Sequence, residues 1–379
     1  MQTSFLRPTY IEIDQQAIYH NVFETAKRLH DDAELFAVVK ADAYGHGLVP
    51  VARVCREAGA TGFCVATIDE AMALRSAQIT EPILVLGISS PQTVAIAAAQ
   101  HISLTFGDLD WLKEATRYLE QTANLPALNL HVALDTGMGR IGFTDQNQLA
   151  TAVTQLRQSK EFNFEGIFTH FSTADERETT YFEQQLAKFN AMMSVVGERP
   201  HYVHVANSAT SLWHQVCHAN MIRFGIGIYG LNPSGNQLQL PYELEPALSL
   251  YSELVFVKHV QAGTAISYGA TYHATQDEWI GTIPIGYADG WLRRLSGMPV
   301  LINGQRCPIV GRVCMDQIMV RLPEQLAVGT KVTLIGRDGV DEITAQEVAE
   351  YSQTIHYEIT CGLQDRIPRH YLPKREELD

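Results

Sequence analysis

Lys40 closes the apolar run ELFAVVK and is followed at once by ADAYGHG, so one amine stands where a hydrophobic stretch gives way to a turn. A lysine with an apolar run behind it can be partly desolvated. Its pKa then falls, and the neutral amine becomes a competent Schiff-base nucleophile. A solvated lysine at a loop start is the plain alternative, and Lys40 alone does not choose between them. Other apolar runs also end in polar groups: Arg140 in LDTGMGRIGF, His170 in THFSTAD, Asn207 and Ser208 in HVANSAT, and Arg223 in MIRFGI.

The elements that would position these residues alternate regularly. Strand-like runs occur at 34–40, 62–66, 82–87, 102–106, 127–135, 162–171, 202–207 and 221–226. Helically spaced segments such as DEAMALRSAQ and YFEQQLAKFNAMMSVV separate them. Continuous apolar strands joined by helices imply a parallel sheet covered on its outer face, and eight such units predict an α/β fold, a (β/α)8 TIM-like barrel. An open doubly wound sheet is the runner-up. From about 245 the texture changes to runs such as LSLYSELVFVKHV, EWIGTIPIGYA and KVTLIG joined by Gly and Asn turns, with only TAQEVAEYS reading as helical. This predicts a barrel domain over 1–240 and a mostly β C-terminal domain over 241–379, linked through NPSGNQLQLPYELEP. A first strand near 9–14 is expected to pack with the C-terminal domain.

On a barrel the polar run-ends fall on the C-terminal rim, where such enzymes carry their chemistry. Barrels also bind phosphate through the loops after strands seven and eight. Here those loops offer Ser208, at the start of the helical stretch SATSLWHQV, with Gly225 and Ile226. Gly225, Gly227 and Gly230 spell G-x-G-x-x-G, but Pro233 and Gly235 break the helix that a dinucleotide site needs next. An imine-forming lysine and a phosphate cradle on one rim are together what pyridoxal phosphate requires.

Composition narrows the alternatives. The 379 residues carry a net charge of -14, with no Lys/Arg run, which disfavours nucleic acid. Hydrophobic residues make up 46% and charged residues 18%, the balance of a well-buried globular chain. No stretch approaches the roughly 20 apolar residues that span a bilayer, and the N-terminus lacks a signal-peptide core, so a cytoplasmic location is expected. The six cysteines are scattered without CxxC, so reduced thiols are the default. His214 and His218, with Cys217 beside them, have metal-ligand spacing, but no nearby carboxylate completes a set and a helix end is the preferred reading. No metal is expected.

The ordered motifs VVKADAYGHG, LDTGMGRIGF, THFSTAD, HVANSAT, RFGIGIYG, ISYGATY, IGYADG and GRVCMDQ resemble those of bacterial alanine racemases, and the likeness covers essentially the whole chain. The resemblance implies a pyridoxal 5'-phosphate enzyme that interconverts L- and D-alanine and supplies D-alanine for peptidoglycan. It implies that Lys40 binds the cofactor and removes the α-proton of D-alanine, with Tyr268 the opposite base for L-alanine. Racemisation needs one group on each face of the reacting carbon. The implied cofactor contacts are Tyr44, His170, Asn207, Ser208, Arg223, Gly225, Ile226 and Tyr357. Arg140 and Met315 would hold the substrate carboxylate. An access corridor would use Asp175, His204, Arg293 and Arg312, with Tyr287 and Tyr357 at its inner gate and Asp316 beside them. The family forms head-to-tail homodimers in which Tyr268 and Met315 enter the site of the other subunit, so a monomer should be inactive.

One position departs from many relatives. A lysine that becomes carbamylated and holds the Arg140 side chain is replaced here by Ala133. A bound anion such as chloride, or a neighbouring polar group, is expected to take over that role. Competing functions are a broader racemase acting on serine or lysine, a decarboxylase on the same barrel, and a noncatalytic pyridoxal phosphate carrier. The roughly 130 residues of second domain argue against the last.

Overall fold

The computed structural model describes residues 2–30, 32–122, 124–214 and 219–374. The chain divides into two compact units. A barrel unit comprises Ala17–Ala43 and Gly47–Glu245, and a β-rich unit comprises Met1–Gln16, Tyr44–His46 and Pro246–Asp379. Strand β1 (Tyr10–Asp14) belongs to the second unit, pairing antiparallel with Leu248–Glu253 and parallel with Arg369–Leu372.

The barrel unit is built from β2 (Glu34–Val38), β3 (Gly62–Val65), β4 (Ile83–Ile88), β5 (Ile102–Phe106), β6 (Leu128–Ala133), β7 (Phe162–Phe168), β8 (Tyr202–His204) and β9 (Met221–Phe224). All neighbouring pairs are parallel, in the order β8-β7-β6-β5-β4-β3-β2-β9. The ring closes through a parallel bridge between Ala206 and Ile222, where Arg223 N–H donates to the Ala206 carbonyl at 2.9 Å. This closure excludes the open doubly wound alternative. β3, β5 and β9 are buried at every position, as expected of strands covered on both faces. Side-chain caps start the outer helices: Thr67 before Ile68–Ser76, Asp108 before Leu109–Glu120 and Asp145 before Gln146–Gln158.

Lys40 is not a strand residue. β2 stops at Val38, and Lys40 opens a single helical turn, Lys40–Gly45, in which Ala41, Asp42, Ala43 and Tyr44 have φ between 52° and 54°. That is left-handed backbone, which costs an L-residue about 1–2 kcal/mol. Backbone N–H groups tie it down: Ala43 donates to the Val39 carbonyl at 2.8 Å, Gly47 to the Asp42 carbonyl at 2.9 Å, and Leu48 to Asp42 Oδ1 at 2.8 Å.

In the β-rich unit, β1 lies in a sheet with Leu248–Glu253, Lys331–Asp338, Pro299–Ile302 and Gln305–Pro308. A second sheet joins Phe256–Val260, Glu278–Ile283 and Ile318–Leu322, over a small core of Val260, Ile266, Ala274, Ile280 and Val310. Among its described residues two α-helices lie C-terminal to the sheets' main strands, Ala345–Tyr351 and His356–Gly362. The second was not anticipated, because HYEIT reads as strand-forming. Among the described residues no helix is long and apolar enough to cross a membrane.

Candidate active site

Within the barrel unit, Lys40, Arg140, His170, Asn207, Ser208, Arg223, Gly225 and Ile226 stand at or just beyond strand ends. Glu70 stitches the loops after β2 and β3 together: its carboxylate accepts from Ala41 N–H at 2.7 Å, Ala66 N–H at 2.8 Å and Thr67 N–H at 3.2 Å. The capping box of helix Ile68–Ser76 therefore also anchors the turn that carries Lys40. Asn207 caps Ser208–Trp213 by accepting from Thr210 N–H, while its Nδ2 lies 3.4 Å from His170 Nε2. Ser208 Oγ accepts from Gly225 N–H at 2.7 Å, joining the loops after β8 and β9.

Arg223 is 3% exposed. It donates to the Thr169 carbonyl at 2.9 Å, to the His204 carbonyl at 3.1 Å and to His204 Nδ1 at 2.6 Å, and lies 3.4 Å from His170 Nδ1. Burial lowers its pKa to about 10, so it stays a cation at neutral pH. His170 is held well below the usual imidazole range, first by burial and then by the charges of Arg223, Arg140 and Lys40. Burial pushes the Cys64 thiol up to about 12 against the pull of Arg223 and Lys40. Three cations thus act on one neutral imidazole, and among the described residues no carboxylate joins them in shifting it. A rim with such a surplus favours an anionic ligand.

Within the β-rich unit, Tyr268 is 69% and Met315 53% exposed, and Tyr287, Arg293, Arg312 and Asp316 are also exposed. Segment 312–316 ties these residues together. Ser267 Oγ donates to the Arg312 carbonyl at 2.7 Å, and Tyr287 and Ala288 N–H donate to the Cys314 and Met315 carbonyls at 3.1 and 3.0 Å. Arg366 binds Asp316 Oδ1 at 2.6 Å, and Arg7 makes a two-pronged pair with buried Asp289. The Tyr44 and Tyr357 rings are neighbours, tilted at 48° with centroids 6.1 Å apart. Gly45 must be glycine, because a Cβ there would meet the Thr360 carbonyl oxygen at 2.2 Å.

His204 is fully buried, stacked on Phe168 and hydrogen-bonded to Arg223. The G-x-G-x-x-G stretch opens no α-helix. It forms one 3-10 turn, Ile226–Tyr229, ended by left-handed Gly230, and the Phe224 ring occupies the space over Gly227. Asp175 is half-buried in the loop after β7. Cys217 and His218 lie outside the described residues. Among the described residues no group of His, Cys, Asp or Glu could hold a metal ion. Sequence reasoning missed Glu70, His131 and Glu165. The last two are polar residues inside apolar strand runs, and that interruption was the available signal.

Residues 13–233 match the family described as alanine racemase, N-terminal domain, and residues 247–371 match alanine racemase, C-terminal domain. An alanine racemase of Latilactobacillus sakei is 58% identical over 98% of both chains. The crystal structure of alanine racemase from E. faecalis superposes with a TM-score of 0.96 at 52% identity, covering 98% of this chain and all of that one. A histidine racemase from Leuconostoc mesenteroides matches with a TM-score of 0.91 at 36% identity, over 98% of this chain and all of that one. By both halves of its length, the chain belongs to the alanine racemase family.

Proposed function

We propose that this protein interconverts L- and D-alanine with pyridoxal 5'-phosphate, acting as a head-to-tail pair of copies. The observation that carries this reading is the cation-rich barrel rim: Lys40, Arg140 and Arg223 around neutral His170 fit an anionic, amine-reactive cofactor and a carboxylate substrate. Lys40 Nζ is the covalent attachment point, Ser208, Gly225, Ile226, Tyr44 and Tyr357 hold the phosphate, and Asn207 and His170 flank it. When bound, pyridoxal phosphate supplies a conjugated ring that withdraws electrons from the substrate Cα–H bond and so acidifies it. Arg223 is a permanent donor, so it can hydrogen-bond the ring nitrogen only while that nitrogen is unprotonated and accepts, which restrains the withdrawal and keeps the chemistry to proton exchange.

Once the substrate amine has taken its place on the cofactor, the freed Lys40 Nζ takes the α-proton of D-alanine on one face while Tyr268 Oη of a second copy returns one on the other, and L-alanine reacts the opposite way. The cationic Arg223 and neutral His170 favour the phenolate that Tyr268 needs for this task. Arg140 and the Met315 backbone bind the substrate carboxylate, and Tyr287 and Tyr357 narrow the approach used by Asp175, Arg293, Arg312 and Asp316. A histidine racemase on the same scaffold makes substrate breadth a question for a panel of amino acids.

In place of the carbamylated lysine, Asp135 organises the loop that carries Arg140: its Oδ1 accepts from Gly137 and Gly139 N–H at 3.0 Å each. A chloride beside the Arg140 guanidinium completes its orientation. Replacing chloride by a bulky organic anion should then raise KM for alanine severalfold with little change in kcat; an unchanged KM removes the anion from the account. The activity is tested by following the optical rotation of both alanine enantiomers. Lys40→Ala should abolish rotation change and bound-cofactor absorbance together. Tyr268→Phe should keep the absorbance and slow α-proton exchange of L-alanine more than of D-alanine. Retained racemisation by Lys40→Ala would overturn the reading.

A further inference from the structure

Behind Arg223 a chain of polar side chains runs through the interior of the barrel unit. Arg223 donates to His204 Nδ1 at 2.6 Å, His204 Nε2 lies 2.8 Å from His131 Nδ1, and His131 Nε2 lies 3.0 Å from Glu165 Oε2. Glu165 also accepts from Ser103 Oγ at Oε2 and from Asn129 Nδ2 at Oε1, the latter at 2.7 Å. One proton arrangement satisfies every link with both imidazoles neutral. A guanidinium only donates, so His204 Nδ1 must accept and its proton sits on Nε2. His131 Nδ1 then accepts, its proton also sits on Nε2, and the carboxylate receives it. All donors point from Arg223 towards Glu165.

The backbone makes concessions to this chain. The β6/β7 register slips between Leu130 and His131, a local bulge, and the partner of His131 is Gly166. A Cβ at Gly166 would stand 2.3 Å from His131 Nδ1, so only glycine leaves room for the ring. Rings clamp the links: His131 stacks on Tyr202 at 5.9 Å, His204 on Phe168 at 4.8 Å, and the Arg223 guanidinium lies over Phe168 at 5.2 Å.

We infer that Glu165 is a positioning residue for the racemase reaction: it is the remote counter-ion of Arg223, setting through the tautomers of His131 and His204 the orientation in which Arg223 meets the cofactor ring. This rests on the proposed function for the final contact only. The chain's polarity depends on a negative acceptor at its far end. In Glu165→Gln the amide oxygen belongs on the Asn129 side, because Asn163 Nδ2 donates to Asn129 Oδ1 at 3.0 Å and so fixes Asn129 as a donor towards position 165. The amide NH2 then faces His131 Nε2. His131 and His204 must invert their tautomers, and His204 presents N–H to a guanidinium that can only donate. An isosteric change three links away thus breaks the hold on Arg223.

The experiment is 15N NMR of histidine-labelled apoprotein, with absorption spectra and kinetics of the holoenzyme. In the wild type, both imidazoles should show a bare Nδ1 and a protonated Nε2. In Glu165→Gln both should invert, the bound-cofactor absorption should shift, and kcat should fall about tenfold or more with KM nearly unchanged. Ser103→Ala, which leaves the carboxylate in place, should keep the wild-type tautomers and spectrum. A wild-type His204 protonated on Nδ1, or a Glu165→Gln protein with wild-type tautomers and spectrum, overturns the inference. If tautomers invert while the Arg223→Ala holoenzyme keeps its wild-type cofactor spectrum, the placement of Arg223 on the cofactor fails instead.

Discussion

A methyl group at Gly166 would press on the His131 imidazole, which has hydrogen-bond partners on both sides and no free direction to retreat. Gly166→Ala should therefore cost about 1–3 kcal/mol, the usual overpacking penalty, visible as a lower unfolding midpoint in urea. Buried imidazoles also set the response to acid. Burial, then the charge of Arg223, holds His204 neutral, and burial lowers His356 to about 4. The unfolded chain takes up these protons near pH 6.5 while the folded chain refuses them, so ν is larger in the unfolded state and stability drops as pH falls. Each group contributes up to about 1.4 kcal/mol per pH unit, His356 from about pH 6.5 down to about 4. Chemical denaturation at stepped pH should show this slope, and its absence would mean that both imidazoles are protonated in the fold.

The turn Lys40–Gly45 holds four consecutive L-residues in left-handed backbone, and an element so disfavoured persists only while its surroundings fix it. Glu70 is one such constraint, because one carboxylate serves three backbone donors on two loops. Glu70→Ala should cost about 1–3 kcal/mol and loosen the Lys40 turn, so cofactor retention on dialysis should fall more than stability alone explains. Equal retention would show that the turn holds itself. This element also marks the limit of what the sequence displays. The eight-fold alternation was legible because strands buried on both faces must be continuous apolar runs, and the rim residues were legible because Lys40, His170 and Asn207 interrupt those runs at their ends. The handedness of ADAY was not, since alanine-rich segments favour the right-handed helix and the tethers lie elsewhere in the chain. Glu165 and His131 were hidden for a related reason: alternation along a strand reveals that a polar side chain is buried but not which partner on the next strand satisfies it.

At the scale of the molecule, the residues expected to act together are divided between two units, and the β-rich one displays Tyr268 and Met315 to solvent at 69% and 53% exposure. Large exposed side chains held by a scaffold of backbone hydrogen bonds are presented rather than left over. The proposed head-to-tail pair would use the same two surfaces twice, so each copy would give its Tyr268 to the Lys40 of the other. This arrangement has an arithmetic consequence. Lys40→Ala and Tyr268→Ala proteins should each be inactive alone, but a mixed pair would join the intact lysine of one copy to the intact tyrosine of the other. Such a pair has one working site in two. Random exchange of equal amounts puts about half of all pairs in the mixed form, so activity should recover to about a quarter of wild type. Recovery should follow the rate of subunit exchange and vanish when the copies are cross-linked before mixing. If each copy instead used its own tyrosine, no mixture of the two inactive proteins would ever turn over alanine.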